Sequence, residues 1–167
     1  ADDPVITSSG GTSATEDSAY SYSVTATDAD DGSPNSGTMT ITCTAGGVDC
    51  ASSSSWLSIS AGSNGAATIT GTPADAQVGD TAVVVTVTDG DGDTDTESFT
   101  ITVANINDAG SVAMSGTFTE DQVITATVTD DDNDGSGDTY TYAWKSSSDL
   151  SSWSSIGSNS ATYTLTQ

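Results

Sequence analysis

Hydrophobic and polar residues alternate one for one over several stretches of the chain. That is the period of a strand with one face buried and the other in water. The clearest stretch is residues 19–27, where Tyr20, Tyr22, Val24 and Ala26 share one face and Ser and Thr hold the other. Residues 38–44 alternate again, with Met39, Ile41 and Cys43 on one face, and residues 98–103 place Phe99, Ile101 and Val103 together. Trp56, Leu57 and Ile59 open another element after a serine run, and residues 66–70 form a short one ended by Gly71-Thr72-Pro73. Residues 82–88, A-V-V-V-T-V-T, read as a buried strand. With a first strand after the acidic stub Asp2-Asp3-Pro4, this makes about seven strands in roughly 100 residues, the spacing of a β-sandwich. No helical period occurs, and an all-β protein is predicted.

The pattern then starts again. The phrase T-E-D-S-A-Y-S-Y-S-V-T-A-T-D-A-D-D-G from Thr15 returns as T-E-D-Q-V-I-T-A-T-V-T-D-D-D-N-D-G from Thr119. Glu16 and Asp17 match Glu120 and Asp121, and Asp28 and Asp30 match Asp130 and Asp132. A period near ~100 residues means two copies of one domain type, not a solenoid. The predicted division is 1–108 for a first sandwich and 109–167 for a second. The second copy is much the shorter, with about five strands expected, so it reads as a sandwich lacking its last strands. Such a domain has an open edge and an uncovered apolar face, which invites pairing with another segment. Either the parent chain continues, or a neighbouring subunit donates a strand and a head-to-tail filament results.

Composition narrows the function. The net charge is −23, with Lys145 as the one basic residue and no histidine. Nucleic-acid binding and attachment to anionic membranes need cationic side chains, so both are excluded. No apolar run approaches the length of a membrane span. Without histidine, Ser-His-Asp and Cys-His catalysis cannot be assembled, and the aspartate pairs lie in glycine-rich turns with no evident cleft for glycoside hydrolysis. The chain is expected to be non-catalytic. It begins at Ala1, which implies a processed or excised segment. Cys43 and Cys50 enclose a short loop, and a local disulfide is expected in an exported chain. Two cysteines cannot close a zinc site without histidine.

Carboxylates this dense must repel one another or take up cations. Asp130, Asp132 and Asp134 sit on alternate positions before Gly135, an order in which carboxylates converge on calcium and the glycine allows the turn. The full EF-hand pattern is not met, because position twelve is Thr141. Asp89, Asp91 and Asp93 make a second D-x-D-x-D loop, and Asp28 and Asp30 belong to a third acidic loop. The plainer alternative is that these are solvated turn residues. Trp56, Trp144 and Trp153 are expected mainly in sandwich cores, with sugar stacking as the other use.

V-A-N-I-N-D-A at the joint resembles the linker of cadherin-like repeats. Y-S-V-T-A-T-D-A-D, I-T-G-T-P-A-D-A-Q-V-G-D and V-T-V-T-D-G-D-G-D, in that order, resemble the cadherin-like Ig sandwich of bacterial surface proteins. The run from Thr141 to Thr166, with Trp144, Trp153, Ile156 and Tyr163-Thr164-Leu165, resembles the Ig-like repeats of large type I secreted, RTX-adhesin-like bacterial proteins. The resemblance implies two tandem Ig/cadherin-like Greek-key β-sandwiches in an extracellular adhesin or stalk, stiffened by calcium. It nominates Glu16, Asn107, Asp108, Asp130 and Asp132 as ligands at the joint, and Asp2, Asp3, Asp28 and Asp30 toward a preceding repeat. The family's Asp-Arg-Glu element is absent, replaced by Gly71-Thr72-Pro73-Ala74-Asp75, so fewer ions or another geometry follow. The expected partners are calcium ions, neighbouring repeats or identical subunits, and surface glycans. A filament subunit and a glycan-binding module are the alternative functions.

Overall fold

The computed structural model describes residues 2–29, 38–62, 64–130, 132 and 139–166. The chain forms two compact units, Ala1–Ile106 and Asn107–Gln167. Among the described residues the regular elements are all strands, apart from one short 3₁₀ turn at Asp75–Gln77.

Unit 1 holds nine strands among its described residues: β1 (Val5–Ile6), β2 (Ser13–Thr15), β3 (Tyr20–Thr27), β4 (Thr40–Ala45), β5 (Val48–Asp49), β6 (Leu57–Ala61), β7 (Ala66–Gly71), β8 (Gly79–Thr88) and β9 (Thr94–Ala104). They form a four-stranded sheet in the order β1-β3-β7-β6 and a five-stranded sheet in the order β2-β9-β8-β4-β5. One core draws on both sheets, with Tyr20, Tyr22, Val24, Leu57 and Ile69 from the first and Cys43, Val83, Val85, Ile101 and Val103 from the second. β3 is buried and exposed at strictly alternate residues, as its sequence dictates. Tyr22 meets Phe99 of the other sheet edge-on, with ring centroids 5.8 Å apart, the preferred arrangement of ring quadrupoles. The result is an Ig-like β-sandwich.

The first two strands lie in different sheets. β1 pairs antiparallel with β3, and the chain then crosses to β2, which pairs parallel with β9. The crossing passes through Gly10, where a Cβ would stand 2.2 Å from the Phe99 ring. Two carboxylates of β9 hold it in place. Asp95 Oδ2 accepts from Ile6 N at 2.8 Å, and Glu97 accepts from Gly10 N at 2.9 Å and from the Tyr22 hydroxyl at 2.6 Å. Burial and this bond to Glu97 push the Tyr22 phenol up to about 12, since both disfavour the phenolate.

β4 and β5 form a hairpin closed by Gly46 (φ 56°) and Gly47 (φ 80°). Two successive left-handed residues are what a two-residue type I′ turn requires. Behind it Cys43 and Cys50 form the expected disulfide, with Cα atoms 5.5 Å apart.

Unit 2 has a three-stranded sheet, β10 (Ser111–Gly116), β11 (Val123–Thr129) and β14 (Thr162–Thr164), in the order β10-β11-β14. A two-stranded ribbon joins β12 (Trp144–Ser146) and β13 (Ser154–Ile156). Trp144 stacks on Tyr163, with centroids 5.7 Å apart, and its indole N–H donates to Ser160 O at 2.8 Å. Only Ile124 and Ala126 are buried apolar residues among those described here. Trp153, expected as core, is 55% exposed, and Trp56 and Trp144 are half-buried.

The repeated Thr-Glu-Asp phrase makes the same turn in both units. Asp17 and Asp121 adopt φ of 55° and 60°. The Asp17 amide donates to Pro73 O and the Asp121 amide to Leu165 O, each at 2.9 Å. The sheet order β10-β11-β14 thus repeats β1-β3-β7.

Candidate metal-binding groups and comparison with known proteins

Among the described residues of unit 1, the one buried charged side chain is Glu16, 1% exposed. It follows β2, and its amide donates to Ala104 O at 2.9 Å. Its Oε2 accepts from Ile106 N at 3.2 Å, which fastens the carboxylate to the end of β9. Asp75, in the 3₁₀ turn after β7, brings a carboxylate oxygen within 4.8 Å of it. Two carboxylates at this separation repel, more strongly as water is excluded. The lone basic residue, Lys145, lies in unit 2. A bound cation would balance the buried Glu16 carboxylate and its half-buried neighbour Asp75. Asp75 was not singled out as a ligand by the sequence, where Pro73-Ala74-Asp75 reads as a turn; its only signal is the acidic residue beside the missing Asp-Arg-Glu element.

In unit 2 the sheet brings Asn107, Asp108, Asp130 and Asp132 into one neighbourhood. β10 pairs with β11 from Ser111↔Thr129, so the segment before β10 must lie beside the loop after β11. The Asp108 amide donates to Asp132 Oδ2, and the Asn107 side-chain amide donates to Asp108 O at 2.9 Å. A Cβ on Gly110 would stand 2.8 Å from Asp130 Oδ2, so the glycine lets that carboxylate come close. Asp130 Oδ1 and Asp132 Oδ1 are both buried and accept no hydrogen bond. An acceptor buried without a partner costs about 1–3 kcal/mol, and hard oxygen donors of this kind suit calcium. The residues present therefore fit a calcium ion.

A family model described as "Putative Ig domain" (He_PIG) matches residues 3–104, more than half of the chain. The chain belongs to this family. The match lies within unit 1 and agrees with its Ig-like sandwich. No curated protein matches significantly. Among solved structures, the chain is similar to the endo-fucoidan hydrolase MfFcnA4 of glycoside hydrolase family 107 (22% identity, 63% of this chain and 14% of that one, TM-score 0.47). It is also similar to the GspB Siglec domain (15%, 64% and 59%, 0.48) and to the Ig1-2 module of the Drosophila receptor protein tyrosine phosphatase DLAR (14%, 75% and 66%, 0.47). The chain thus spans a small part of the hydrolase's length. At these scores the functional argument rests on the Ig-like family and the site geometry, and the family favours a non-enzymatic module.

The other nominated residues of this Ig-like unit stand apart. Asp28 follows β3 while Glu16 precedes it, which puts them at opposite ends of an eight-residue strand, roughly 25 Å. The loop of residues 89–93 joins β8 to β9, and there Asp89 Oδ1 accepts from the amides of Asp91, Gly92 and Asp93 at 3.0, 2.7 and 2.8 Å. That oxygen closes the turn. Asp91 is exposed and Asp93 half-buried. Asp30 and Asp134 lie outside the described residues. No helix among the described residues is long and apolar enough to cross a membrane, which says nothing of β-barrels.

Proposed function

We propose that this Ig-like module is an extracellular, non-catalytic structural repeat of a bacterial surface adhesin or stalk, and that calcium held by its acidic groups stiffens it. The observation that carries the reading is the burial of carboxylate oxygen. Glu16 is buried beside Asp75 in unit 1, and Asp130 and Asp132 each keep a buried oxygen without a donor in unit 2. Glu16 and Asp75 would ligate calcium in unit 1, and Asn107, Asp108, Asp130 and Asp132 would do so in unit 2; Asp2, Asp3 and Asp28 are ligands for the far end of unit 1. Calcium supplies the positive charge that the sequence lacks, and the disulfide fits the oxidising, calcium-rich space outside the cell.

Calcium titration followed by calorimetry and thermal unfolding tests this. Binding the folded state at 100-fold excess over Kd adds about 2.7 kcal/mol, so chelation should lower the midpoint by several degrees, and Asp132→Asn should remove the part of the binding heat that belongs to unit 2. Identical melting curves in calcium and EDTA would sink the proposal and return the aspartates to solvated turns.

A further inference from the structure

The two units share a beginning, and unit 1 shows what normally covers it. Its β3 face is closed by the β8–β9 hairpin, residues 79–104, whose Val83, Val85, Val87, Ile101 and Val103 are at most 2% exposed. The hairpin is held at both edges: β8 pairs with β4 from Thr40↔Thr88 to Ala45↔Val83, and β9 pairs with β2 at Ser13↔Thr102.

Both edges and the face recur in unit 2 without that cover. Val112 and Met114 of β10 lie on the same face as Val128 and Ala126 of β11, their register partners. With Tyr142 and Trp144 they line an open groove of about 370 Å³. Val112 is 66% and Met114 57% exposed. β12 pairs with β13 on one side, and among the described residues no strand takes its other edge. Residues 117–119 occupy the place of β2 before the shared Thr-Glu-Asp turn, yet form no strand. There Phe118 is 61% exposed, whereas Ala14, its counterpart in unit 1, packs on the core.

We propose that this groove of unit 2 is a docking site for a β-hairpin built like β8–β9. One strand bonds to the free edge of β12, the other lies along residues 117–119, and Val or Ile at alternate positions, as in Val83, Val85 and Val87, fills the groove. Backbone bonds at two edges give affinity, and the alternation fixes the register, since a one-residue slip would turn the apolar side chains outward. The inference is independent of calcium. An isolated hairpin is marginally stable, so its ordering on docking costs part of the affinity.

The probe is a synthetic peptide of residues 79–104, added to the isotope-labelled 167-residue chain and followed by nuclear magnetic resonance in EDTA. The expected result is a saturable, one-to-one shift of the Trp144 indole and of the Val112, Met114 and Phe118 amides, with unit 1 signals unmoved. A peptide carrying Val83→Asp, Val85→Asp and Val87→Asp should bind at least ~10-fold more weakly; this control leaves the protein untouched. An equal response to both peptides, or no shift up to the solubility of the peptide, overturns the proposal. So does concentration-dependent broadening of the same signals in the chain alone, which would assign the groove to a second copy.

Discussion

Units 1 and 2 start from the same phrase and the same three-strand order, but only one of them has a closed core. In unit 1, β8 and β9 add five residues that are almost wholly buried. In unit 2, β10 is exposed along its whole length, and Trp144 on Tyr163 is the main aromatic contact. Three of the five strands described in unit 2, β12, β13 and β14, are only three residues long. Alternation makes a strand; a second layer makes it stable, because burial of apolar area drives folding.

Matched truncations expose this contrast most strongly. Ile101→Ala, at a fully buried site, should cost about 3 kcal/mol in urea unfolding. Met114→Ala, on the open face, should cost under ~1 kcal/mol. Equal losses would mean that the Met114 face is covered in solution. Calcium sharpens the comparison next. Glu16 is buried and Glu120, its counterpart, is exposed; Glu16→Gln should abolish most of the calcium-dependent stabilisation of unit 1, about 2–3 kcal/mol at saturation, and Glu120→Gln should change stability by less than ~0.5 kcal/mol.

Reducing the Cys43–Cys50 bond, which closes a separation of seven residues, should destabilise unit 1 by about 2 kcal/mol. Unit 2, without cysteine, should be unaffected. The smallest effect is that of pH. Tyr22 has a folded value of about 12 against an ordinary 10.0. Its neutral form is the one the fold favours, so its contribution is whole below pH 10.0 and is lost as pH rises through about 12. In a phenolate absorbance titration Tyr22 should ionise late, and Tyr22→Phe should remove that late step.

Much of unit 1 was legible because its long strands bury every second residue; Tyr20, Tyr22, Val24 and Ala26 are all buried on one face. β2 and β5, three and two residues long, were not. Neither carries a run of alternation, and the pairing of β2 with β9 follows from a crossing at Gly10 that only the packed Phe99 explains. The joining of Asn107 and Asp108 with Asp130 and Asp132 was readable from family-like order, since strand register brings them together. Asp75 escaped notice because a turn aspartate near Pro is common, and its relation to Glu16 depends on the long-range pairing of β3 with β7. Trp153 lies exposed in a serine-rich turn because no second layer covers it.

Amide hydrogen exchange on the whole chain, in calcium and then in EDTA, tests the contrast between the units most directly. The account predicts slow exchange in β3, β7, β8 and β9, fast exchange in β12 and β13 in either buffer, and calcium-dependent protection confined to Ile106, Asp108 and their flanks. Equal protection of β8 and β12, with no response to calcium, would contradict it.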